Sequence, residues 1–146
     1  MKKTKTTKKS EIKREWHLVD VKGKTLGRVS VQIAQLLMGK DKVYYVSHLD
    51  CGDYVVVVNA AKVEISGRKR KQKLYQRHSG YPGGFKELNF AQMMKKDPSQ
   101  VLRQAIAGML PKNKLRDKRL ARLKVFKEEN QPYQEKFKGE NGQKEN

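Results

Sequence analysis

From Trp16 to Val21 the chain is apolar except for His17 and Asp20. Beyond it, Leu26, Val29, Ile33, Leu36 and Leu37 recur at three- and four-residue steps, which predicts an amphipathic helix over residues 25–38. Thr25 suits its N-cap, and Gly39 suits the position just past its end. Tyr54–Val58 reads YVVVV, a continuous β-branched run that fits a central strand covered on both faces. Residues 73–78 predict a third strand, with Leu74 and Gln76 on one face and Tyr75 and Arg77 on the other.

Two helices follow. Asn89 caps the first, Gln92 falls at its N3 position, and Leu88 can staple Met93. Asp97-Pro98 opens the second as cap and N1 proline, and Pro111 stops it. Its apolar pairs Val101/Leu102, Ala105/Ile106 and Met109/Leu110 return every four residues. Residues 113–121 predict a short basic helix and residues 123–126 a last strand. Strands separated by helical segments predict an α/β fold, a three-layer sandwich with a four-stranded, largely parallel sheet flanked by helices.

At 146 residues the chain suits one domain. Residues 1–13 read as a basic N-terminal extension, 14–127 as a single α/β domain, and 128–146 as a disordered tail of mixed charge and few apolar residues. Cys51 is the sole cysteine, which excludes an internal disulfide and suits a reducing, cytoplasmic setting. No apolar stretch approaches the length of a membrane span, and no apolar segment follows the basic start as a secretory signal requires.

Charge changes the picture most. Lysine and arginine number 34 against 15 acids, a formal net charge of +19, well beyond what solubility requires. The excess is clustered. Residues 1–15 hold seven cations, residues 62–78 hold seven against one acid, and residues 112–127 hold eight against one. A polyanion is the natural partner of such a surface.

Gly23-Lys24-Thr25, between strand and helix, resembles the end of a phosphate-binding loop. The first glycine of that loop would fall at Leu18, inside the strand, so the turn is too short to wrap a triphosphate. A single backbone phosphate needs no enclosing loop, and Lys24, Arg28 and the helix N-terminus can meet one. His48 and Cys51 have chelating spacing but no second ligand pair, so no metal is expected. No acid–base or nucleophile set points to an enzyme, a cofactor or a small-molecule substrate.

The richest segment is residues 62–86. Arg68, Lys69, Arg70, Lys71 and Lys73 form a cationic cluster, and Tyr75, Arg77, His78 and Tyr81 interleave rings with charge. Gly83 and Gly84 allow a close backbone approach. Cations neutralise phosphates and exposed rings stack on unpaired bases, so the expected ligand is a nucleic acid. In residues 111–127, Lys112, Lys114, Arg116, Lys118, Arg119 and Arg122 are expected to face outward while Leu115, Leu120 and Leu123 anchor the segment. The apolar face is too narrow for a membrane-surface helix.

Four stretches, WHLVDVKGKTLGR, GDYVVVVNA, YQRHSGYPGG and IAGMLPKNKL, in this order and spacing, resemble the bacterial-type large-subunit ribosomal protein number thirteen family over roughly residues 14–127. The resemblance implies a four-stranded sheet between helices, binding to large-subunit ribosomal RNA beside neighbouring ribosomal proteins, no catalysis, and a part in early subunit assembly. Carried over by motif, Lys24, Arg28, Tyr75, His78, Gly83, Gly84, Lys112 and Lys114 would face RNA. The pattern departs at Asn113 and Arg116, where the family usually has glycine. On charge alone, a free nucleic-acid-binding translational regulator is the alternative.

Overall fold

The computed structural model describes residues 6–138. Strand β1 (Trp16–Asp20) leads through the Gly23 turn into helix α1 (Leu26–Met38), and β2 (Tyr54–Val58) returns parallel to β1. The register pairs Trp16 with Tyr54 and Asp20 with Val58. Strand β5 (Leu123–Val125) adds to the other edge of β2, also parallel. The YVVVV run is therefore central, and Val55 to Val58 are buried, as a strand with two covered faces must be.

Between β2 and β5 lie α2 (Lys69–Gln72), β3 (Leu74–His78), β4 (Phe85–Asn89), α3 (Phe90–Lys96), α4 (Pro98–Met109) and α5 (Arg116–Ala121). One sheet face carries Val55, Val57 and Leu123, and packs with Val29, Ile33 and Leu37 of α1 and Val101, Leu102 and Ile106 of α4 into the core. The opposite face starts with Trp16 and Tyr54, whose rings stack at 4.4 Å. The helix signals act locally as their chemistry requires. Asn89 and Gln92 close a reciprocal capping box, Asp97 accepts from the Ser99 amide with Pro98 at N1, and Gly39 ends α1 at φ 73°. Thr25 occupies the N-cap of α1, but its side chain makes no capping bond; the Leu26 amide donates to the Glu64 carbonyl at 2.8 Å instead.

The α/β class stands, and the sheet corrects the four-stranded expectation. Three strands form the parallel sheet, and β3 leaves it to pair antiparallel with β4 as a separate hairpin. The cause is the loop between them. Pro82 and Gly83 occupy the central positions of a tight turn, with Gly83 at φ 70° and the Gly84 amide donating to the Tyr81 carbonyl. That turn returns the chain onto β3, so FKELN becomes a strand where a loop and helix start were expected.

The described chain past β5 runs against the residues that follow β2. The amides of Asn59, Ala60 and Ala61 donate to the carbonyls of Glu128, Phe126 and Lys127. Gln131 is buried, Tyr133 stacks on Trp16 at 5.4 Å, and Phe137, in helix α6 (Gln134–Lys138), meets the same indole edge-on. Residues 1–5 and 139–146, the ends of the expected arm and tail, lie outside the described residues. Among the described residues no helix is long and apolar enough to cross a membrane.

Candidate nucleic-acid interface

The GKT turn is built mainly for the fold. Gly23 takes φ 67°, its amide donates to Lys62, and the Lys24 amide donates to Val21. Those two amides and that of Leu26 are thus engaged within the protein, and no nest of free N–H groups wraps a triphosphate. Lys24 and Arg28 are exposed beside the start of α1, which leaves contact with a single backbone phosphate open to them.

The second basic unit joins α2 to the hairpin. Arg68, Lys69, Arg70 and Lys71 are all exposed. The Lys73 ammonium lies 5.6 Å from the centroid of the half-buried Tyr75 ring. Burial pushes the Tyr75 hydroxyl above its ordinary pKa, and the hydroxyl has no hydrogen-bond partner. At the exposed hairpin end, His78 Nδ1 accepts from the Gly80 amide at 2.9 Å, which puts the ring proton of neutral His78 on Nε2. Gly83 and Gly84, expected to admit RNA, have internal reasons to be glycine. Gly83 needs positive φ, and a Cβ on Gly84 would lie 2.0 Å from Ser79 Oγ.

In the third unit Lys112 and Lys114 are exposed on the loop after α4, where Asn113 Oδ1 accepts from the Leu115 amide at 3.1 Å. Arg116 is half-buried. Arg119 corrects the outward expectation: it is 1% exposed, with its Nε 3.7 Å from Asp50 Oδ1. Arg119 lies one turn from the half-buried Leu115 on the inner side of α5, and Arg122 follows at the helix end.

Arg122, likewise expected to face outward, is also buried. Its Nη1 and Nη2 hold both oxygens of Asp50, Nη2 donates to the Leu37 carbonyl at 3.3 Å, and Nε donates to the Asp53 carbonyl at 3.2 Å. The Leu37 carbonyl is one of the orphan acceptors at the end of α1, so Arg122 fastens that helix to the loop entering β2. Arg14 adds a third cation, 3.6 Å from Asp50 Oδ2. Burial alone would raise the Asp50 pKa; the Arg122 hydrogen bonds and the charges of Arg122, Arg14 and Arg119 outweigh it and hold it below the ordinary 3.8. Asp53 is likewise lowered. Against burial, it accepts from His17 Nε2 at 3.0 Å, from Lys42 Nζ and from the Glu15 amide. Glu15, His17 and Asp53 bring three potential metal-ligand atoms within 4.8 Å of one another, but the Lys42 ammonium already supplies the positive charge at Asp53.

The hairpin also exposes a feature that the sequence reading missed. Its register sets Tyr75 opposite Leu88 and Arg77 opposite Lys86. With α3 and the start of α4 these residues line a groove of about 690 Å³, to which Lys96, Gln100 and Gln104 contribute. FKELN carries no apolar alternation, so the one sequence signal was Tyr81–Gly84, a Pro-Gly turn that folds it back onto β3.

The family model for ribosomal protein L13 matches residues 14–132. A Clostridioides difficile protein named large ribosomal subunit protein uL13 is 51% identical over 119 residues, covering 82% of this chain and 83% of the relative. The uL13 of Rubrobacter xylanophilus is 50% identical over 116 residues, 80% and 81% of the two chains. That of Thermotoga petrophila is 49% identical over 132 residues, 90% and 89% of the two chains.

Proposed function

The chain belongs to the ribosomal protein L13 family, and from that membership we propose that it is a non-enzymatic, structural component of the large ribosomal subunit that binds large-subunit ribosomal RNA and supports early assembly. The observation that carries the RNA reading is how the fold sorts its cations. The ion pairs of Asp50 and Asp53 engage Arg14, His17, Lys42, Arg119 and Arg122. Lys24, Arg28, the Arg68–Lys71 cluster, Arg77, Lys112 and Lys114 take part in none of these and are exposed. Core charges are neutralised internally, and the large surplus is left at the surface for a polyanion. Lys73, Tyr75, His78 and Arg116 support the same surface from its edges. Three separated basic units on one small domain suit an architectural role, restraining several RNA segments at once. Neighbouring large-subunit proteins are the expected companions.

Filter binding of the full chain to large-subunit ribosomal RNA tests this. With on the order of eight phosphates neutralised, affinity should fall by ~10³ or more between 50 and 200 mM salt. Affinity that ignores salt would refute it. In cell extract at low salt the protein should sediment with the large subunit; a free translational regulator would stay in the supernatant.

A further inference from the structure

We propose that the groove between the hairpin and helices α3 and α4 receives one unpaired nucleotide of the ribosomal RNA, its base against the inner wall and its phosphate at the rim. The inference rests on the RNA-binding reading above and adds a defined pocket to it. The groove, at about 690 Å³, lies within the range of small-ligand sites. Its chemistry divides as a nucleotide does. Tyr75, Leu88 and Met93 are half-buried and form an apolar inner wall suited to a base plane. Gln100 and Gln104 stand one helical turn apart on α4, both exposed, each with an amide donor and acceptor for a base edge.

The rim carries the decisive feature. Arg77 and Lys86 are directly opposite each other across the strands, with Lys96 on the same groove. Like charges at paired positions destabilise an antiparallel hairpin. Asp97, the carboxylate lining this groove, has one oxygen occupied in capping α4. Among the described residues neither Arg77 nor Lys86 has an ion-pair partner, and two such facing cations are complementary to an anion brought by a ligand. The open groove has no loop to enclose a free nucleotide, so the occupant is a nucleotide held within a larger RNA.

The test uses the full chain and bacterial large-subunit ribosomal RNA. Lys86→Glu replaces repulsion with a cross-strand ion pair. It should raise the melting temperature of the free protein by about 1–3 °C while weakening RNA binding about tenfold or more. Gln100→Ala with Gln104→Ala keeps every charge and favours helix. It should lower affinity several-fold and leave the salt slope unchanged. Ultraviolet crosslinking of the unmodified complex should join one nucleotide to the peptide carrying Tyr75 or Met93. The proposal is overturned if both variants bind as the parent does, if the salt slope alone changes in the glutamine variant, or if the crosslinked nucleotides map only to peptides outside the groove. Failure of the parent itself to bind RNA would instead remove the functional reading on which this one stands.

Discussion

Replacing Asp50 by alanine would strip three arginines of their shared counter-charge. Arg119 and Arg122 are 1% and 8% exposed, so neither can turn to water for compensation. The variant loses the two Arg122–Asp50 hydrogen bonds and the Coulombic hold on Arg14 and Arg119. It keeps the bonds from Arg122 to the Leu37 and Asp53 carbonyls. Removing one member of a buried ion pair costs about 3–5 kcal/mol, chiefly because the other charge stays buried. A domain of this size is stable by about 5–15 kcal/mol, so Asp50→Ala should unfold a large share of the protein or lower its melting temperature by about 10–20 °C. Urea unfolding followed through the single tryptophan, Trp16, reports it directly. The reasoning makes a second demand. If the cost is an uncompensated cation rather than lost packing, adding Arg122→Met to Asp50→Ala should recover much of the loss. An Asp50→Ala change that costs under about 1 kcal/mol, or a double variant less stable than the two single effects summed, would refute the account.

Other consequences follow from the same geometry. Asp50 and Asp53 titrate below their ordinary 3.8 in the folded chain, so their stabilisation is complete above that value and is lost as pH falls through the lower folded values; the urea midpoint should hold from pH 7 to about 5 and drop below about pH 4. Gly52→Ala would set a Cβ 1.7 Å from the Leu37 carbonyl and 2.9 Å from Arg122 Nη2, costing about 3 kcal/mol or more by thermal denaturation. Tyr75→Phe removes a buried hydroxyl with no partner and should leave stability unchanged or raised by about 1 kcal/mol, where an ordinary buried tyrosine would lose. Tyr133→Ala removes a ring stacked on Trp16; a loss of about 1–2 kcal/mol and a red-shifted Trp16 emission are expected, and an unmoved spectrum would place the tail elsewhere in solution.

Elements whose signal is local were legible in the chain. The α1 stripe, the YVVVV strand, the Asn89 box and the Asp97-Pro98 start all fold as read, because capping and periodicity act within a few residues. So were the cationic clusters, whose density does not depend on the fold. The hairpin was half legible: β3 was read, but its partner FKELN has no apolar alternation and pairs because the Pro82-Gly83 turn folds it back. The ring contacts of residues 133–137 were not legible for a related reason. Few apolar residues were visible after Lys127, yet Tyr133 and Phe137 find Trp16, more than a hundred positions earlier.

The sequence by itself determined an α/β domain with a surplus of cations, because composition and short-range pattern are properties of the unfolded chain too. Only the tertiary structure decided which cations remain at the surface. Arg119 and Arg122 stand in the same basic run as Lys112 and Lys114, but their counter-charge, Asp50, lies far away in sequence. An ion pair depends on distance in space, so a run of like charges was divided into core and surface only when the chain folded.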